Sequence, residues 1–192
     1  MGETAKSLTV LILDGIAIGA VGSVITLGLL YAGLPFFGPV NDLTNALVGL
    51  FIGLLAWQFF ASLPTKAAPD ILIMLVCWAG AILIIWNSLL VAFGRMDWKL
   101  GGLYTGVGYG LIGIWLLLTL ITSSLAGDFP SQIHWVGFVV GIGLVIGLAA
   151  GFILAGKLSI RFQPLVWLVY ALTALGWIGF PIWCWMLSRR LL

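Results

Sequence analysis

Polar side chains are rare in the long apolar stretches of this sequence, so each one is a candidate for chemistry. Asp14 is the one acidic residue inside such a stretch. A carboxylate at membrane depth is costly and by default indicates function, such as a proton or cation site or a pH-sensitive gate. Alternatively, a protonated or locally hydrogen-bonded Asp14 lies close enough to the interface to be tolerated. We expect no basic residue within the bundle to pair with it.

The other polar groups at depth are neutral amides, hydroxyls and indoles. They suit a neutral polar solute better than an ion, because cation paths need rings of carboxylates or carbonyls and anion paths need rings of Arg or Lys. For any single residue, a hydrogen bond between two helices is the commoner role. The candidates for lining a pore or substrate site are Asn45, Trp86, Asn87, Tyr104 and Trp177.

No set of residues suited to catalysis or metal binding can be assembled from the sequence. His134 is the single histidine and opens an apolar stretch, and Cys77 and Cys184 lie inside apolar stretches as isolated cysteines. A nucleophilic triad or a metal site needs several such groups together. We therefore predict no enzymatic activity, no cofactor and no metal.

The composition excludes a water-soluble module. Of 192 residues, 62% are hydrophobic and 7% charged, and the mean hydropathy is +1.23, whereas soluble domains carry about 25% charged residues. A net charge of +2 spread over short loops forms no basic patch, so nucleic acid is not an expected partner. The expected surroundings are the lipid bilayer.

Six apolar stretches are long enough to cross a hydrocarbon core, which takes about 20 helical residues. They predict an all-α polytopic membrane protein, one domain of six transmembrane helices in a compact bundle with both termini on one side. We expect Asn41 or Asp42 to cap the second helix. The eight basic residues split evenly between the two sides and leave the orientation open. The predicted spans are 8–31, 43–63, 71–93, 103–125, 133–155 and 165–187.

Glycines recur at intervals of four residues in most of these stretches. This spacing aligns small side chains on one helix face and lets helices approach closely in lipid. We expect close packing within one bundle, and alternatively a seam of a homo-oligomer. The pairs are Gly15/Gly19, Gly49/Gly53, Gly106/Gly110 and Gly137/Gly141, with Gly143, Gly147 and Gly151 as a triplet.

Four short motifs give the chain a resemblance to the amide and urea channel family (the AmiS/UreI group). They are LLYAGLPFF, TNALVGLFIGLL from Thr44 to Leu55, WNSLLVAFGRMDWKLGGLY from Trp86 to Tyr104, and LTALGWIGFPIWCWM near the end. The chain is more similar to the amide-type branch, since it lacks the helix-borne glutamates of the urea-channel branch. The matching positions are Asn45, Asn87, Asp97, Tyr104, Trp177 and Pro181.

This resemblance implies a narrow pore in each protomer, constricted by aromatic and aliphatic side chains, that passes short amides or urea and excludes ions. It also implies a ring-shaped homo-oligomer in the bacterial inner membrane, with both termini outside and the Arg95–Lys99 loop in the cytoplasm.

Two other functions fit six helices and short loops. One is a non-catalytic integral subunit of a larger membrane complex, which would co-purify with partners. The other is the substrate-binding membrane component of a vitamin transporter, which would bind one vitamin tightly.

Overall fold

Six long helices form almost the whole of the computed structural model, which describes residues 3–63, 66–122, 130–154, 156, 158 and 162–191. Within these residues there is no strand. Each helix is long and apolar enough to cross a bilayer, so the prediction of an all-α, multi-pass membrane bundle is confirmed. The helices are α1 (Glu3–Tyr31), α2 (Phe37–Ser62), α3 (Ala68–Ala92), α4 (Trp98–Thr122), α5 (Ser131–Leu154) and α6 (Gln163–Leu191).

The start of α2 differs from the sequence-based expectation. The helix begins at Phe37, its first turn contains Pro39, and no side chain caps it. Proline is tolerated there because the first amides of a helix have no intrahelical acceptor. Asn41 and Asp42 therefore lie inside the helix, and the prediction that one of them caps it was wrong. Asp42 is therefore an acidic residue inside a helix long enough to cross a bilayer, as Asp14 is.

The helices form a closed ring of antiparallel neighbours. Each helix packs on the helices before and after it in the chain, and α6 packs back on α1. Between α1 and α2, for example, Gly19 lies against Val48 while Gly22 lies against Thr44. We call the end where α1, α3 and α5 finish the loop end, and the opposite end, which holds Glu3 and Leu191, the terminal end.

The repeated glycines lie where neighbouring helices approach most closely. A Cβ built on Gly113 would be 2.7 Å from the Gly141 carbonyl oxygen, and one on Gly143 would be 2.7 Å from the Gly176 nitrogen. Every glycine pair identified in the sequence meets a neighbouring helix of the same chain. The expectation of packing within one bundle is confirmed, and the homo-oligomer stays a prediction.

Large apolar side chains fill the terminal half of the ring. The largest are Trp115, Phe180 and Trp183, all almost completely buried. The indole Nε1 of Trp183 donates to the Ile133 carbonyl oxygen at 3.0 Å, which satisfies its one polar group. We call this set the apolar core. It also includes Ile12, Leu13, Ile16, Val48, Ile52, Leu55, Ala56, Cys77, Ile84, Tyr109, Ile112, Leu116, Leu120, Ile133, Val140, Leu144, Cys184 and Leu187.

Adding one methyl group at the contact between α5 and α6 is expected to destabilise the protein. A Cβ at Gly176 would lie 2.5 Å from the Leu144 nitrogen, so Gly176→Ala forces the helices apart. We expect a loss of about 1–3 kcal/mol in the free energy of unfolding, measured by circular dichroism during denaturation in detergent. The control is Gly28→Ala, where no heavy atom lies within 4 Å of the new methyl. Equal effects of the two substitutions would contradict this account of the packing.

Candidate functional site

A cavity of about 540 Å³ occupies the loop half of the ring. Its volume lies within the range of about 300–1,000 Å³ that is usual for small-molecule sites. All six helices contribute to its wall: Ser23, Leu27, Leu30, Tyr31, Gly38, Asn41, Asp42, Asn45, Val91, Trp98, Gly101, Gly102, Thr105, Gly106, Gly147, Ala150, Gly151, Tyr170, Thr173, Ala174 and Trp177.

The apolar core closes this cavity toward the terminal end. Along α4 the lining residues end at Gly106 and the core begins at Tyr109, and along α6 the lining residues end at Trp177 and the core begins at Phe180. The ring of Trp177 lies 5.2 Å from that of Tyr109, centre to centre, at this boundary. The cavity is thus a chamber with a solid floor.

Three polar side chains of α1 and α2 form a cluster in the chamber wall. The Ser23 hydroxyl lies 2.8 Å from Asn41 Oδ1 and 2.9 Å from Asn45 Oδ1. The single hydroxyl hydrogen of Ser23 can bond to only one of these oxygens at a time, so the two amide oxygens together can still accept a further hydrogen bond. Asn41 and Asn45 are four residues apart and so share a face of α2. The polar cluster, Ser23, Asn41 and Asn45, therefore combines amide donors and acceptors in one place.

A carboxyl group lies beside this cluster. Asp42 lines the chamber next to Asn41, and among the described residues no lysine or arginine forms an ion pair with it. Asp42 was not predicted as a site residue, because the apolar run in the sequence begins only at Leu43. Ser23, Asn41 and Thr173 were not predicted as lining residues either. The one available signal was the Asn41/Asn45 spacing of four.

Of the lining residues predicted from sequence, Asn45 and Trp177 do line the chamber. Trp86 and Tyr104 do not. Trp86 is 65% exposed on the outer surface of α3, and Tyr104 is exposed on α4. The faces of α3 and α4 that meet instead carry Gly80, Ile84 and Gly108, which are in contact with one another.

Asn87 is buried behind the chamber wall. Its Nδ2 donates to the Gly101 carbonyl oxygen at 2.8 Å and to Thr105 Oγ1 at 2.6 Å. Gly101 and Thr105 line the chamber, whereas Asn87 does not. Its Oδ1 has no hydrogen-bond partner among the described residues. This amide therefore joins α3 to α4 and supports the wall.

Asp14 lies in the terminal half, away from the chamber. The Ser188 hydroxyl donates to its Oδ1 at 2.6 Å, and Arg189 Nη2 lies 3.4 Å from its Oδ2. The expectation that no basic residue would pair with Asp14 was wrong, because Arg189 belongs to the last turns of α6, which continues beyond the predicted span. A proton or gating role for Asp14 stays a prediction.

Comparisons with known proteins add no relative. No protein-family model, no curated protein and no solved structure matches the chain.

Replacing the amide of Asn87 is expected to weaken the fold. Asn87→Leu leaves the Gly101 carbonyl and the Thr105 hydroxyl without their donor, so we expect a loss of about 1–3 kcal/mol in the free energy of unfolding. The control is Trp86→Leu, one residue away on the outer surface, which should change the free energy of unfolding by about 0.5 kcal/mol or less. Denaturation in detergent measures both. An Asn87→Leu variant as stable as the wild type would contradict the supporting role.

Proposed function

We propose that this membrane protein is a channel or facilitator for a small uncharged polar solute, a short amide or urea, and that the chamber is its binding site. The observation that carries the proposal is the polar cluster. Ser23, Asn41 and Asn45 meet in the wall of a chamber that residues of all six helices line. The proposed function requires no catalytic group and no cofactor.

The chemistry of the cluster favours an amide solute. A carboxamide side chain offers two N–H donors and one carbonyl acceptor, and a short amide or urea presents the same groups. A solute that pairs with Asn45 can exchange its hydrogen bonds with water for equivalent bonds to protein. An ion would instead have to leave its hydration shell in a chamber whose wall is mostly Gly, Ala, Leu and Trp.

Permeation also needs a path through the terminal half. In the described conformation the apolar core fills this half, so we propose that the core is the gate. Opening would part Phe180 and Trp183 of α6 from Trp115 of α4. Such a hydrophobic constriction resists hydrated ions and yields to a small neutral molecule.

The motifs that resemble the amide and urea channel family support the solute class. By that resemblance the protein is a homo-oligomer in the bacterial inner membrane, with the loop end toward the cytoplasm. Asn45 and Trp177, two of the matching positions, line the chamber.

A second candidate is the substrate-binding membrane component of a vitamin transporter. The observation that favours it is the chamber itself, which is closed at one end and has a volume of about 540 Å³, large for a urea-sized solute. Tight binding of one vitamin without flux of amides would establish this second function instead.

Flux measurements test the first proposal. Purified protein in liposomes should speed the entry of acetamide and urea, followed by stopped-flow light scattering, and should carry no current. Asn45→Leu removes one of the cluster's two amides and should slow this entry about tenfold, the equivalent of one hydrogen bond of about 1.4 kcal/mol. Trp86→Leu, on the outer surface, should leave it unchanged. Undiminished flux through Asn45→Leu would contradict the assigned role.

The charge of the solute can be tested at Asp42. Asp42→Asn keeps the shape of the side chain and removes its ionisable group, so an uncharged solute should enter at the wild-type rate within about twofold, or about 0.4 kcal/mol. The same liposome assay provides the measurement. The opposite result would be that the Asp42→Asn variant loses activity and that the wild type takes up an organic cation. Together these two results would show that the carboxylate binds a positive charge.

A further inference from the structure

The seam between α1 and α6 closes the ring, and its two halves differ. In the terminal half it is tight: Leu13 is fully buried, and the next residue, Asp14, accepts a hydrogen bond from Ser188 of α6. Ser188 is itself fully buried. These contacts identify the faces with which the two helices meet.

The same face of α1 is uncovered in the loop half. Val24 and Tyr31 lie about three and five helical turns beyond Leu13, and so on the same face of α1. Val24 is 62% exposed and Tyr31 is 78% exposed, whereas Leu13 is completely buried. Gly28, between them, has no heavy atom within 4 Å of its Cβ position. Among the residues that the structure describes, no helix therefore covers α1 here.

The matching face of α6 lines the chamber. Trp177 and Tyr170 lie about three and five turns before Ser188, on the same face. Both line the chamber, as does Ala174 between them. Ala174 and Trp177 are exposed. The faces that meet at Asp14 and Ser188 are thus apart in the loop half, and the chamber lies open between them.

Pro181 marks the level above which α6 still packs on α5 but no longer covers the matching face of α1. Proline has no N–H, so the backbone bond to the Trp177 carbonyl is missing, and such a position is where helices bend. The core residues Trp183, Cys184 and Leu187 follow it, and Phe180 directly precedes it. The lining residues Tyr170 to Trp177 lie before Phe180. The sequence of α6 thus allows its first half to diverge from α1.

We propose that the chamber opens sideways into the bilayer between α1 and α6, and that it binds an uncharged amphipathic molecule. A primary amide with an alkyl chain fits both parts of the site. Its carboxamide would bind the polar cluster, and its chain would lie in the opening, beside Val24 and Leu27 of α1 and Ala174 and Trp177 of α6. This inference rests on the proposed function, because it uses the same polar cluster for the amide.

The physical reason for an amphipathic ligand is the contrast between the polar cluster and the apolar edges of the opening. Ser23 and Asn45 supply hydrogen bonds that a bare alkyl chain cannot use, whereas the edges of the opening are apolar at a depth where hydrocarbon surrounds the protein. Water in such an opening would find few partners. A molecule with one polar end and one apolar end satisfies both surfaces, and it reaches the chamber without leaving the membrane.

Spin labels in proteoliposomes test the opening. The described cysteines, Cys77 and Cys184, are buried, so the unsubstituted chain gives the labelling background. A nitroxide at Ala174→Cys should collide with oxygen, which concentrates in lipid, about as often as one at Trp86→Cys on the outer surface. A label at Thr105→Cys, on the opposite chamber wall, should collide several-fold less. Tyr31→Cys provides a second position at the opening. If the collision rates at Ala174 and Tyr31 were as low as at Thr105, the proposed side opening would be contradicted.

The bound molecule is tested with butanamide, dodecanamide and dodecyltrimethylammonium. Dodecanamide should lower oxygen collisions at Ala174 several-fold, and butanamide should immobilise only the Thr105 label. If both amides immobilise the Thr105 label and neither changes Ala174, the proposed function stands and the side opening is overturned. If neither amide affects either label, the proposed function fails as well.

Two further results would also overturn the inference. If only dodecyltrimethylammonium affected the labels, the site would bind a cationic head group and not an uncharged amide. Dipolar broadening between labels at Ala174 of two chains would show that a second copy covers the opening.

Discussion

A ring of six helices fills its own centre only where the inward side chains are large enough to meet. In the terminal half the inward residues include Trp115, Phe180 and Trp183, and the apolar core is solid. In the loop half α4 and α5 present Gly102, Gly106, Gly147, Ala150 and Gly151. These residues are too small to reach across the ring, so the chamber follows from the size of the side chains and not from a separate structural element.

Glycine has two effects in this arrangement. Between helices it permits close contact, as at Gly143 and Gly176, and close contact is a main source of helix association in lipid. Toward the axis it leaves space. At the level of the chamber, the buried Asn87 holds α3 to α4 through Gly101 and Thr105. The polar groups that line the chamber include those of the polar cluster, and hydrogen bonding to a solute can offset the cost of keeping them at this depth.

The sequence was sufficient to predict the six helices, because a span of about 20 apolar residues has few alternatives to a membrane helix. It also identified Asn45 and Trp177 as lining residues. It could not indicate which way Trp86, Asn87 and Tyr104 face. The helices are apolar on all sides, so no amphipathic pattern distinguishes an inner face from a lipid-facing one.

Two further residues were misjudged for different physical reasons. Asp42 was placed outside its helix, because a span predicted from hydropathy begins only where the sequence becomes apolar. The helix itself begins earlier, and its first turns include polar residues such as Asp42. The partner of Asp14 lies at the other end of the chain, in the last turns of α6. Only the closure of the ring brings α1 and α6 together, and no local pattern encodes that closure.

The central claim is that the chamber is a solute site in the loop half that the apolar core closes toward the terminal end. It is tested most directly by the reaction of Ser23→Cys, in vesicles of known orientation, with a membrane-impermeant maleimide. The account predicts reaction only from the face at the loop end, and slower reaction when acetamide saturates the chamber. Absence of reaction from that face, or a rate that acetamide leaves unchanged, would contradict it.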